Sequence, residues 1–145
     1  MLTILFLLLF VHYLADYPLQ GDFLAKAKNH NTRTLPDYAV GGGVPGVPWY
    51  QALFAHAFIQ AGFVYLVTGC MGFALAELVL HFAIDYCKSA GGFQLSGMDG
   101  ACARTPCQCE ACLRFAYNFD QLAHVACKVC YVLIAYYSGI HMGLF

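Results

Sequence analysis

Long apolar runs broken by single polar positions, several of them four residues apart, set the pattern of this chain. Four such runs read as helices: Leu2 to Tyr17, Trp49 to Val67, Phe73 to Lys88 and Phe115 to Leu144. The first stops before Pro18, because proline disfavours helical backbone in the residue preceding it. A short amphipathic helix, Leu19 to Lys28, is expected to follow along an interface. Residues Asn29 to Pro48 carry Gly41, Gly42, Gly43, Pro45, Gly46 and Pro48, a composition of loop rather than helix. Gly69 and Gly72 mark a tight turn, and a polar, Cys-rich loop runs from Ser89 to Arg114.

Composition places this pattern in lipid. Of the 145 residues, 61% are hydrophobic and 10% charged, whereas soluble domains carry roughly 25% charged residues. The expected fold is all-α: a single transmembrane domain over 1–145, a membrane-embedded four-helix bundle with a short interfacial helix. The Cys-rich loop 89–114 is inserted between its third and fourth helices. Runs of this length are short for a hydrocarbon core that asks for roughly 20 residues, so the second and third helices also suit a buried hairpin. Met1 to Phe10 lacks a basic leader and a small-residue cleavage pattern, and reads as a retained helix rather than a signal peptide. A net charge of −1 without basic clusters argues against a nucleic-acid partner.

Six of the seven Lys and Arg residues fall on one side of this topology: Lys26, Lys28, Arg33, Lys88, Arg104 and Arg114. That side is cytoplasmic by the positive-inside rule, which puts both termini outside, and Trp49 and Tyr50 suit the headgroup level.

His12, His56, His81 and His124 lie one in each apolar run, and three have an aspartate four residues away: Asp16, Asp85 and Asp120. That spacing puts both side chains on one helix face. Counted from the cytoplasmic ends, with a rise of about 1.5 Å per residue, the four imidazoles agree in depth to within roughly 5 Å. Four antiparallel helices would gather them in one layer, with the aspartates a turn nearer the cytoplasm. Ionisable groups inside apolar helices are expensive and mark sites. Histidine and carboxylate on facing helices is the chemistry of first-row metals, zinc foremost, with iron or manganese as alternatives. Seven candidate ligands exceed one tetrahedral site, so either two metals bind or some aspartates orient histidines. A metal-free hydrogen-bonded network and a proton or ion relay are the competing readings of the same residues.

Deeper, Glu77 and Lys128 share a depth that suits a buried ion pair, and Gln60 is placed to join it. Lys88, a turn beyond Asp85, reads as its ion-pair partner or as a contact for an anion. Gln20, Lys26 and Gln121 are placed at the cytoplasmic mouth. Cys70, Cys87, Cys127 and Cys130 lie in or near helices as small hydrophobes. Cys102, Cys107, Cys109 and Cys112 form C-x4-C-x-C-x2-C within one loop. In a reducing cytoplasm four close thiols suit a second zinc; an inverted topology would make them disulfides.

The stretches His12-x3-Asp16-Tyr-Pro-Leu-Gln20, His81-Phe-Ala-Ile-Asp85-Tyr-Cys-Lys88 and Asp120-Gln121-x2-His124 together resemble a family of small bacterial and phage membrane proteins described only as a domain of unknown function. The resemblance covers nearly the whole chain apart from the Gly/Pro and Cys-rich loops. It implies a multi-pass protein of the bacterial inner membrane. Its motif positions here are His12, Asp16, Gln20, Lys26, His56, His81, Asp85, Lys88, Asp120, Gln121 and His124, and no reaction comes with it.

Three functions compete. In a metal-dependent membrane hydrolase acting on an interfacial ester or phosphoester, His12, Asp16, His56, His81 and His124 would hold the metal. Asp85 and Asp120 would ligate or act as base, and Lys88 would hold an anionic group. In a non-enzymatic phage or bacterial membrane factor, the polar layer would only specify packing. In a metal or proton carrier the layer would bind or relay ions, and four short helices would then need a homo-oligomer to enclose a path.

Overall fold

The computed structural model describes residues 1–29, 47–89 and 110–143, with backbone alone for 110–113. Among these residues there are five helices and no strand: α1 (Leu2–Asp16), α2 (Gly21–Ala27), α3 (Trp49–Thr68), α4 (Met71–Ser89) and α5 (Glu110–Ser138). The all-α expectation holds, with α5 starting five residues earlier and ending six residues earlier than the sequence pattern suggested. The loops carrying Arg33, Arg104, Cys102, Cys107 and Cys109 lie outside the described residues. Cys112, expected in the Cys-rich loop, is instead in the first turn of α5 with only its backbone described, so the expected second zinc site lies outside what is described.

Local chemistry explains the boundaries. α1 ends before Pro18, and the chain then turns by 86° into α2. α3 starts behind Pro48, whose extended backbone (φ −62°, ψ 139°) sets the entry to the helix. It ends at Gly69, which takes the left-handed conformation (φ 67°) that costs a side chain most, and whose N–H donates to the Tyr65 carbonyl. The Thr68 hydroxyl donates to the Val64 carbonyl and accepts from the Cys70 N–H, so two residues suffice to reverse direction into α4. Gly139 (φ 65°) stops α5 in the same way, and the Gly143 N–H then bonds the Thr68 carbonyl.

α1, α3, α4 and α5 close a square in which α1 packs on α3 and α5, and α4 on α3 and α5. α2 lies against α3. Alanines at Ala52, Ala57, Ala61 and Ala74 are buried along the α3 and α4 faces, where small side chains let helices approach closely. The interior is stratified. At the end holding the α3–α4 turn, Leu8, Val64, Phe73, Tyr131, Val132 and Met142 form an apolar cluster. Beyond it the buried face becomes polar at every fourth residue: Glu77, His81 and Asp85 on α4; Asp120, His124 and Lys128 on α5.

The outside shows the opposite polarity. Phe6, Phe10, Phe54, Phe58, Leu75 and Val79 are exposed on α1, α3 and α4. Among the described residues, α3 alone is a single helix long and apolar enough to cross a membrane; α1 and α2 qualify together as one bent pair. Against the expected membrane-embedded four-helix bundle, length and composition thus give one or two candidate spans among the described residues. α1 is only 15 residues long, while α4 carries Glu77, Asp85 and Lys88, and α5 carries Asp120 and Lys128.

A buried histidine–carboxylate layer

Each helix of the square delivers one imidazole to the same level. Ring centroids lie 4.0 Å apart for His81 and His124, 4.9 Å for His56 and His81, and 5.1 Å for His12 and His124. All four histidines are buried to 1% exposure or less. Asp16, Asp85 and Asp120 sit one helical turn along, as i,i+4 spacing dictates.

Two groups of ligand atoms share the layer. In the first, His56 Nε2 and His81 Nε2 face each other at 3.1 Å. Asp16 Oδ1 lies 3.2 Å from the former and 3.9 Å from the latter. Asp85 Oδ2 lies 3.6 and 3.8 Å from the same two nitrogens. In the second, His124 Nε2 lies 3.4 Å from Asp85 Oδ1 and 3.6 Å from Asp120 Oδ1. Asp16, His56 and His81, and separately Asp85, Asp120 and His124, are spaced to hold a metal ion, as are Glu77, His81 and His124. Imidazole nitrogen with carboxylate oxygen suits zinc, iron or manganese.

The surrounding groups fix these ligands. Glu77 Oε1 lies 3.1 Å from His81 Nδ1, so a proton on Nδ1 turns the Nε2 lone pair toward His56. Glu77 also accepts from Lys128 at 2.5 Å and from the Tyr131 hydroxyl at 3.0 Å, which realises the ion pair expected from depth. Asp16 accepts from Gln60 at 2.6 Å and from Gln121 at 3.2 Å. Gln60 therefore serves the histidine layer and not the Glu77–Lys128 pair, because its position one turn past His56 points it at α1. Lys88 donates to Asp120 at 2.6 Å, so its ion-pair partner is on the neighbouring helix rather than Asp85.

Not every buried atom is satisfied. Both ring nitrogens of His12, Asp120 Oδ1 and Gln121 Oε1 make no hydrogen bond among the described residues. An orphaned buried polar group ordinarily costs about 1–3 kcal/mol. Of these residues only Asp120 belongs to one of the ligand groups, where a cation would satisfy its oxygen. His12, a candidate ligand in the sequence, is in none of them, its Nε2 lying 3.6 Å from Asp16 Oδ2.

Lys28, read in the sequence only as a charge on the cytoplasmic side, is part of the site. Its ammonium donates to Asp85 Oδ2 at 2.7 Å and to Gln20 Oε1 at 3.3 Å. It reaches the layer only because the chain folds back after Pro18. Lys26, expected at the mouth, is exposed on α2 instead. Glu77 as a histidine partner was detectable, since it precedes His81 by the same four residues as the other pairs.

Fold and site together define a helical protein with a polar, ligand-rich interior and an apolar surface. The chain belongs to the DUF3307 family, described as proteins of unknown function, whose profile matches residues 4–142. No curated protein and no solved structure is similar to it.

Proposed function

We propose that this is an integral membrane metalloprotein that hydrolyses an ester or phosphoester presented at the membrane surface. One observation carries the reading: His56 Nε2 and His81 Nε2 oppose each other at 3.1 Å with Asp16 Oδ1 3.2 Å away. Two basic nitrogens brought that close in a dry interior, beside a carboxylate, form the edge of a coordination polyhedron. Zinc is the favoured ion, with iron or manganese as alternatives.

The bilayer is supported by the polarity of the bundle. Among the described residues ten polar or charged ones are buried, including all four layer histidines, while large apolar side chains such as Phe6, Phe58 and Val79 are exposed. In water that surface would associate; in lipid it is matched. The exposed charges Asp22, Lys26 and Arg114 gather at the end where α1 stops and α5 begins, which the positive-inside rule makes cytoplasmic. Both termini then face outward. An apolar groove runs along the outward face of α1, lined by Phe6, Phe10, Tyr13, Tyr17 and Pro18 and by no residue of the buried layer.

A divalent ion held by Asp16, His56 and His81 would supply an acidified water, its pKa lowered from 15.7 to about 7. Hydrolysis would join the water oxygen to the carbonyl carbon or phosphorus as the bond to the departing oxygen breaks, with Asp85 or Asp120 placed to pass the water proton to that oxygen. Lys88, 34% exposed, holds the anionic part of the substrate at the rim.

A metal-free layer that specifies packing draws on three observations. Asp85 and Asp120 each already hold a lysine. The 3.1 Å between His56 Nε2 and His81 Nε2 is a hydrogen bond when one of them carries a proton, and His124 Nε2 reaches Asp85 Oδ1 at hydrogen-bond distance, 3.4 Å. Elemental analysis of the purified protein separates the two, with His81→Ala and Cys109→Ser made individually. The hydrolase requires metal that His81→Ala removes, together with metal-dependent cleavage of a phospholipid or ester panel. Metal kept in His81→Ala but lost in Cys109→Ser overturns it.

A further inference from the structure

We propose that the centre is dinuclear, with a second divalent ion held by Asp85, Asp120 and His124 and with Asp85 bridging the two. This rests on the metal reading above and extends it to a second site.

The two oxygens of Asp85 face different histidines. Oδ2 lies toward His56 and His81, at 3.6 and 3.8 Å, and Oδ1 toward His124, at 3.4 Å. Asp120 is divided the same way. Its Oδ2 accepts from Lys88, and its Oδ1 lies 3.6 Å from His124 Nε2, beyond hydrogen-bond reach. Lys28 and Lys88 occupy only the Oδ2 atoms. The two Oδ1 atoms therefore converge on one imidazole nitrogen clear of both lysines, whereas the bridge through Asp85 Oδ2 requires that oxygen to be shared with or released by Lys28.

A separate observation points to an ion there. Asp120 Oδ1 is a bare carboxylate oxygen in a residue only 1% exposed, and it makes no hydrogen bond. His12, fully buried, makes no hydrogen bond through either ring nitrogen, and its Nε2 lies 3.6 Å from Asp16 Oδ2. The bare oxygen of Asp120, grouped with Asp85 and His124, is the atom that a second ion would satisfy. Two-metal hydrolytic sites place their ions about 3.5–4 Å apart, a separation one bridging carboxylate spans.

Of the substrates proposed above, such a pair favours a phosphoester, because two ions held there would stabilise the attacking and departing oxygens of an in-line displacement. In that hydrolysis a water oxygen would join phosphorus and the phosphorus–oxygen bond to the alcohol would break. One of the water's protons would leave with the alcohol while the other goes to the phosphate product or solvent.

The test is a Mn(II) titration of the full-length protein in nanodiscs, read by elemental analysis and electron paramagnetic resonance. Manganese prefers oxygen and nitrogen ligands to thiolate, so the cysteine-rich loop does not enter the count. Two Mn(II) per chain with an exchange-coupled signal are expected, falling to one uncoupled ion in Asp120→Asn. One uncoupled Mn(II) in the unaltered protein, lost in His56→Gln, overturns the second site and leaves the mononuclear reading intact. Uptake of neither Mn(II) nor Zn(II) overturns both. Should Asp120→Asn lose its helical circular dichroism, the count and coupling in the unaltered protein decide alone.

Discussion

Glu77 and His81 are locked together one helical turn apart, with the carboxylate oxygen 3.1 Å from Nδ1 of the ring. The same carboxylate is held by Lys128 and Tyr131 from α5. One acidic residue thus ties the apolar end of the bundle to the histidine layer and decides which His81 nitrogen looks inward. An orienting carboxylate behind a histidine ligand is the arrangement that tunes metal sites.

Lys128→Met is expected to destabilise the protein by about 3–5 kcal/mol, because it leaves a buried carboxylate without its cation. The paired variant Glu77→Gln with Lys128→Met should regain most of that loss. Thermal or denaturant unfolding in detergent measures both. A single Lys128→Met protein as stable as the original would show that the pair is not the clasp between α4 and α5.

In that paired variant the fold returns but the charge behind His81 does not. Metal affinity is expected to fall about 10–100-fold, the usual penalty for removing a partner of a ligating histidine. Competition with a chelator of known affinity reads the change. Unchanged affinity would mean that His81 binds no ion through Nε2.

Lys28→Met separates a ligand-competing role from a structural one. The ammonium sits 2.7 Å from Asp85 Oδ2, the oxygen directed at His56 and His81. Removing a cation from that oxygen should tighten metal binding several-fold. Looser binding would show that Lys28 instead fixes Asp85 in its working orientation.

How far the sequence speaks for itself follows from the range of each interaction. The histidine layer is legible because i,i+4 pairs such as His12/Asp16 and Asp120/His124 lie within single helices, and helical rise converts residue counts into depth. Glu77 and Lys128 are legible for the same reason. The contact of Lys28 with Asp85 is not, since it depends on an 86° change of direction after α1 that no spacing encodes. The turn of Gln60 toward Asp16 is equally silent, because it reflects which helix is the neighbour on that face. Number of spans is also poorly legible: buried charges on α4 and α5 lower their hydropathy although their outer faces carry Leu75, Val79 and Leu133.

Gly69→Ala tests the α3–α4 reversal on which the alignment of His56 and His81 depends. Gly69 has φ 67°, and a side chain in that left-handed conformation costs about 1–2 kcal/mol. The expected result is a protein less stable by that amount with its metal content unchanged. A fall in metal content as well would show that the turn sets the register of the two histidines.

Phe58→Asp distinguishes lipid from water as the medium around α3. Phe58 is 60% exposed and lies in the middle of the 20-residue helix, on the side away from His56, Gln60 and the other helices. A bilayer would surround that position with hydrocarbon, where an aspartate costs about 2.5–3.5 kcal/mol. The variant is therefore expected to insert poorly and to be depleted from the membrane fraction, whereas Phe58→Leu should behave as the original. In water the same change replaces an exposed aromatic ring by a charge, which raises solubility and leaves stability nearly unaltered. Fractionation of cells expressing the three proteins decides the matter. A Phe58→Asp protein recovered folded and more soluble than the original would remove the bilayer, and the interfacial substrate with it.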